Sequence, residues 1–134
     1  MKVQSFNSAD AFDKLQPEWN ELLKRSITDT PFSTYEWHMN WWNAYHPGDL
    51  WILVVRDDEN TLQGMASLFI VEDAGKRIVH LVGCEDVTDY VDVIVASDHA
   101  EAVYSAIARA LLENQDKYDI IDWCNIPSDS PTYT

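Results

Sequence analysis

Hydrophobic and polar positions along this chain change period several times, and each change marks an element. Lys2-Val3-Gln4-Ser5-Phe6 predicts a short first strand. Asn7-Ser8 can cap a helix after it, and Phe12, Leu15, Trp19, Leu22 and Leu23 then recur at helical spacing. Pro17 falls inside that stripe. It has no amide hydrogen and its ring crowds the preceding turn. The expectation is a turn of helix from Ala9, a break at Gln16-Pro17 and a firmer helix to about Arg25. Ser26 to Pro31 reads as a loop. The segment Pro31 to Tyr45 then holds three of the six Trp residues. Ser33 and Glu36 fit the S-x-x-E capping box, and Phe32 and Trp37 are spaced for a hydrophobic staple. Trp37, Trp41 and Tyr45 repeat at i, i+4 and i+8, so this line is expected to be the packed face of a second helix. His38 and Trp42 stand at its edge.

Leu50-Trp51-Ile52-Leu53-Val54-Val55 is a continuous apolar run with β-branched members, the pattern of a central strand covered on both faces. Asp57 to Asn60 is a turn. Thr61 to Val71 is a long strand broken at Gly64, where a bulge or a close backbone approach is expected. Glu72 to Gly75 is a second turn, and Arg77 to Val82 completes an antiparallel meander. Cys84 to Asp89 is an acidic loop, succeeded by a strand from Tyr90 to Val95. Asp98 and Glu101 repeat the capping-box spacing, and Val103, Ala106, Ile107, Ala110 and Leu111 form one helical face. Tyr118 to Trp123 is the last strand, closing a β-α-β unit with a right-handed crossover. The order is β-α-α-β-β-β-β-α-β: an α/β (α+β) domain with a mixed, mostly antiparallel sheet flanked by helices. Residues 1–124 read as one domain and 125–134 as a linker-like tail.

Composition narrows the partners. With 9 basic and 23 acidic residues the net charge is −14, which disfavours nucleic acid and anionic membrane surfaces. The adjacent basic pairs, Lys24-Arg25 and Lys76-Arg77, do not make a phosphate cradle. No apolar run approaches the ~20 residues that span a bilayer, and Met1 to Phe6 lacks a signal-peptide core, so a cytoplasmic protein is expected. Cys84 and Cys124 have no paired C-x-x-C spacing, and the carboxylates beside them disfavour thiolates. Both read as buried or half-buried free thiols. His80, Cys84 and Asp86 match no established metal-site spacing, so no metal is expected.

The densest polar cluster is Glu85, Asp86, Asp89, Tyr90 and Asp92. As a functional loop it offers carboxylates to take a proton and a phenol, Tyr90, to donate one. The plain alternative is that Asp89 caps the loop, Tyr90 packs and Asp92 faces solvent. His38 and Trp42 are candidates for a ligand or partner surface, set against His38 as an ordinary helix-surface residue. The Trp residues are either a sugar-stacking platform or core.

The same residues carry a resemblance. The order of elements is similar to the first part of the GNAT acetyltransferase fold. Pro31-Phe32 to Trp37 with Trp41-Trp42, Gly83 to Asp92, then Ile126-Pro127 and Ser130-Pro131 resemble the N-terminal domain of acetyltransferase-like proteins associated with cellulose and exopolysaccharide biosynthesis. Those are related in architecture to the tandem-domain Fem-type aminoacyltransferases. The resemblance implies acyl transfer from acetyl-coenzyme A, another acyl-coenzyme A or an aminoacyl donor to an amine or hydroxyl on a small-molecule acceptor. It also implies a second domain beyond this one. Asp89, Tyr90 and Asp92 become the catalytic candidates, with His38, Trp42, Glu85 and Asp86 on the acceptor or partner side. One departure stands out. GNAT enzymes seat the donor pyrophosphate on the amides of a glycine-containing loop at a helix N-terminus. Here that place is Val95-Ala96-Ser97-Asp98-His99-Ala100-Glu101, with no glycine and two carboxylates. The expectation is therefore a domain that does not hold the donor alone. The competing reading is a non-catalytic module that docks a second domain or a twin chain.

Overall fold

The computed structural model describes residues 1–8, 10–26, 34–45, 48–82, 92–123, 126 and 132. Among them the order is β1 (Lys2–Phe6), α1 (Asp10–Lys24), α2 (Tyr35–Tyr45), β2 (Asp49–Arg56), β3 (Leu62–Asp73), β4 (Lys76–Leu81), β5 (Ile94–Val95), α3 (Ala100–Glu113) and β6 (Ile120–Ile121). This is the order that the hydrophobic pattern predicts. β1 to β4 form an antiparallel run of neighbours, and β6 joins β4 in parallel.

β2 organises the layers. Leu50 to Val55 are all buried, and alternate side chains enter different cores. Leu50, Ile52 and Val54 pack with Phe12, Leu15, Trp19, Leu22 and Leu23 of α1 and with Trp41 and Trp42 of α2. Trp51, Leu53 and Val55 pack with Val103, Ala106, Ile107, Ala110 and Leu111 of α3. The sheet is thus covered by α1 and α2 on one face and by α3 on the other.

α1 runs through Pro17 without the expected break. Pro17 stands on the exposed side, and the carbonyl it strands belongs to the equally exposed Asp13, where water can satisfy it. The inward stripe from Phe12 to Leu23 stays continuous. Ser8 supplies the predicted cap, its Oγ accepting from the Asp10 amide at 3.3 Å. At the other face of the helix Glu18 and Arg56 form a two-pronged ion pair, 2.8 and 3.0 Å, that ties α1 to the end of β2.

β3 is continuous through Gly64 rather than broken there, but both expected irregularities are present. The register against β2 shifts between Val55 and Arg56, so that Val55 faces Gly64 and Arg56 faces Leu62. A Cβ at Gly64 would run into Val103 of α3, so glycine lets α3 approach the sheet. The β3–β4 turn is two residues long, with Ala74 and Gly75 both at positive φ, 52° and 82°.

β4 and β5 lie along the same side of β3. Leu81 faces Leu68, so a strand running on in step would bring residues 84 and 85 opposite Met65 and Gly64. Ile94 and Val95 stand there instead, ten residues later. The two short strands are therefore the halves of one interrupted strand. The strand expected from Tyr90 begins, among the described residues, only at Ile94; Tyr90 and Val91 lie outside them. After α3 the chain returns parallel to β4, pairing Ile78 with Ile120 and Val79 with Ile121. In the tail, Ile126 packs against the α3-side core and the Thr132 hydroxyl meets Tyr104 of α3 at 2.9 Å.

Two substitutions test these packing relations. Pro17→Ala restores an α1 hydrogen bond, and it is expected to raise the unfolding free energy by about 1–3 kcal/mol in urea denaturation. Gly64→Ala is expected to lower it by about 1–3 kcal/mol, because Val103 must move to admit the new methyl. An unchanged midpoint for Gly64→Ala would mean that α3 adjusts without strain.

Candidate functional site

The loop leading into α3 lies where β5 ends, and it is latched to the end of α1. The Ser97 amide and Ser97 Oγ both donate to the Arg25 carbonyl, at 2.9 and 2.6 Å. Ser26 and Ala96 form an isolated antiparallel bridge, and the Ala96 amide donates to the Gln63 carbonyl at 2.9 Å. The His99 amide turns back to the Ala96 carbonyl at 3.1 Å. The Arg25 guanidinium is directed to Gln63 Oε1 and the Leu62 carbonyl, at 3.3 and 3.1 Å. Gln63 in turn donates through Nε2 to Asp57 at 2.9 Å.

Beside this latch is a hollow of about 610 Å³ lined by Ser97, Asp98, His99, Ala100, Glu101, Ala102 and Ser105. A helix N-terminus ordinarily favours an anion, because its first amides are unpaired and its dipole is positive there. In this one the Ser97 and His99 amides are spent on the chain itself, and two carboxylates line the space. Among the described residues no Lys or Arg side chain lines it. A diphosphate placed here would meet two carboxylates, with His99 the one basic side chain among the described lining residues. The residues present do not fit the pyrophosphate of a coenzyme A donor.

Asp57 anchors the network from the β2–β3 turn. Its Oδ1 accepts from the Thr61 and Glu59 amides at 2.9 Å each. The Thr61 amide foremost, and then the Gln63 side chain, hold its carboxyl below the ordinary aspartate value.

The predicted site residues fall into three groups. Asp89, Tyr90, Glu85 and Asp86 lie outside the described residues, as do Cys84, Cys124, Phe32 and Ser33. Asp92 is described. It is 3% exposed rather than solvent-facing, and its Oδ1 accepts from the Val93 amide at 2.8 Å as the chain enters β5. His38 and Trp42 are described and do not stand at an exposed edge: they are 2% and 4% exposed. His38 meets the Trp19 ring edge-on at 5.2 Å, and Trp42 lies 6.1 Å from Phe69. His80 is held by the Asp122 carbonyl at 2.9 Å, and no cluster of three or more His, Cys, Asp or Glu with metal-binding geometry occurs among the described residues.

The rotation of α2 explains the change for His38 and Trp42. The packed face is His38, Trp41 and Trp42, not Trp37, Trp41 and Tyr45. Asn20 of α1 sets the angle. Its amide donates to both Glu36 carboxylate oxygens, at 2.9 and 3.0 Å, and its Oδ1 accepts from the Tyr35 amide at 3.1 Å. Glu36 is therefore bound to α1. Thr34 caps the helix, its Oγ1 accepting from the Trp37 amide at 3.2 Å. Turned this way, Trp37 is half-buried and Tyr45 is 48% exposed. With Thr34, Glu36, Asn40, Trp41 and Ala44 they line a second hollow of about 480 Å³. The aromatic stripe at i, i+4 and i+8 was legible in the sequence, but its direction was not.

No protein-family model matches the chain, and no curated protein matches it in sequence. Solved structures do match its fold. Glucosamine-6-phosphate N-acetyltransferase from Arabidopsis thaliana superposes with a TM-score of 0.56 at 12% identity, over 99% of this chain and 88% of that one. The ribosomal-protein-alanine N-acetyltransferase from Brucella melitensis biovar Abortus 2308 gives 0.52 at 13% identity, over 98% and 85%. The GCN5-related glucosamine N-acetyltransferase region of a fungal multi-domain GH3 β-N-acetylglucosaminidase gives 0.57 at 16%, over 97% of this chain and 14% of that one.

Asp57 offers a check on the network. Its folded value lies below the ordinary 3.8, so its stabilisation is present above that pH and is lost as pH falls through the folded value. Asp57→Asn is expected to flatten the acid limb of stability against pH in that window, measured by urea denaturation between pH 5 and 2 (about the range where carboxylates titrate). An identical acid limb would mean that Asp57 contributes nothing to the acid sensitivity. The element order, the interrupted strand beside β3 and the parallel return after α3 together give this chain the fold of the GNAT acetyltransferases.

Proposed function

We propose that the chain is an acyltransferase-family domain, the acceptor-side half of a cytoplasmic N-acetyltransferase in polysaccharide or cell-envelope metabolism, and that it does not hold an acyl-coenzyme A donor by itself. The observation that carries this reading is the latched, glycine-free, acidic loop at the start of α3, within a fold that otherwise matches the acetyltransferases. On the acceptor side, Asp92, which is buried, with Asp89 and Tyr90 before it in the sequence, supplies the acid–base candidates. A second domain would then have to supply the donor site.

A second reading is supported by the free side of β6. Ile120 and Ile121 are each 41% exposed on the last strand, whose paired neighbour among the described residues is β4. In that reading the domain docks another domain or a twin chain and does no chemistry.

Isothermal titration calorimetry with acetyl-coenzyme A tests the first reading. No saturable heat is expected at ligand concentrations of roughly 1 mM. Saturable one-to-one binding would overturn it, because the α3 loop would then be a working donor site despite its charge.

A further inference from the structure

We propose that the aromatic hollow on α2 is a binding site for an organic ammonium ion, a small alkylated amine carrying a fixed or protonated positive charge. This goes beyond the acyltransferase reading and does not depend on it. The hollow opens on the α2 side of the sheet, whereas the loop into α3 belongs to the other end of the interrupted strand, so the two sites are separate.

Three observations point to a cation. The walls are Trp37, Trp41 and Tyr45, with Trp41 and Tyr45 ring centroids 5.2 Å apart and tilted by 45°. Aromatic faces carry negative quadrupole density, and rings inclined to one another can contact a rounded alkylammonium group from more than one side. Among the described residues the one charged lining residue is Glu36, and no Lys or Arg lines the space. Asn20 orients that carboxylate through both oxygens, yet carboxylate oxygens have further lone pairs for an ammonium. Lastly, no Lys or Arg side chain stands in the first or last turn of α2. Glu36 offsets the positive helix start, and the last turn, which carries Ala44 and Tyr45, has no basic side chain to offset its carbonyls. The net charge of −14 draws cations to the surface from longer range. An anion would meet the Glu36 carboxylate with no lining cation to offset it. A neutral apolar group would use the rings but waste the carboxylate. The volume, about 480 Å³, falls in the range of small-ligand sites, roughly 300–1,000 Å³.

Choline and its uncharged carbon isostere, 3,3-dimethyl-1-butanol, separate these possibilities. Each is titrated into the chain while the indole N–H signals are monitored by NMR. Choline is expected to bind saturably in the millimolar range and to shift the Trp37 and Trp41 signals. The isostere is expected to bind about ten-fold more weakly or not at all. Glu36→Gln should weaken choline binding several-fold, and Trp37→Ala should abolish it. Ala44→Leu, an exposed helical position, fills the hollow without removing a ring and should also abolish binding, which covers the case in which Trp37→Ala does not fold. Equal binding of the two probes would overturn the proposal, as would tighter binding of a neutral sugar such as methyl glucoside. Absence of saturable choline binding in the folded wild-type chain would overturn it as well.

Discussion

The burial of β2 on both faces is the constraint on which the rest of the structure depends. From Leu50 to Val55 the exposures run from 0% to 5%, so neither face of this strand can border water. Each such side chain stabilises the fold by roughly 1.5–3 kcal/mol relative to an exposed position. That gain requires a layer on each side. The even residues of the run demand α1 and α2, the odd ones demand α3, and the chain can supply α3 on the second face only by crossing over after β5. The parallel entry of β6 beside β4 is the geometric consequence of that crossing.

Electrostatics then decide how this framework is used. The start of α3 follows the end of the interrupted strand, and a helix N-terminus is suited to anions by backbone alone. In this chain the Arg25 carbonyl takes both the amide and the hydroxyl of Ser97, and Asp98 and Glu101 line the remaining space. Arg25 itself points its charge at Gln63 and Leu62 rather than at the hollow. This chain therefore presents an acidic surface at the start of α3. The aromatic concentration lies across the sheet from α3, on α2, where rings and a carboxylate share one hollow.

Much of the architecture was legible from local pattern. The short β1 segment, the β-branched apolar run of β2 and the helical stripe of α3 each fall in the element type that was expected. Pro17 misled because its local penalty, about 3 kcal/mol in a helix interior, is offset by a stripe of buried residues on both sides of it. Of the candidate site, the departure at the α3 loop could be read directly, since missing glycine and added carboxylates are properties of composition. The burial of Asp92 could not: the pattern allowed a solvent-facing strand position, and burial is decided by packing with other elements.

What the sequence determined by itself was the list of elements, their order, the two faces of β2 and the sign of the charge around α3. These arise from side-chain periodicity and composition, which are local and additive. What only the tertiary structure decided was rotation and register. α2 has aromatic residues around much of its circumference, so its own pattern selects no inner face; Asn20 and Trp19, on a different helix, turn His38 and Trp42 inward and leave Tyr45 outside. The ten-residue step between β4 and β5 is likewise invisible in either strand alone, because a register is a relation to a third strand, β3, and exists only once the sheet has formed.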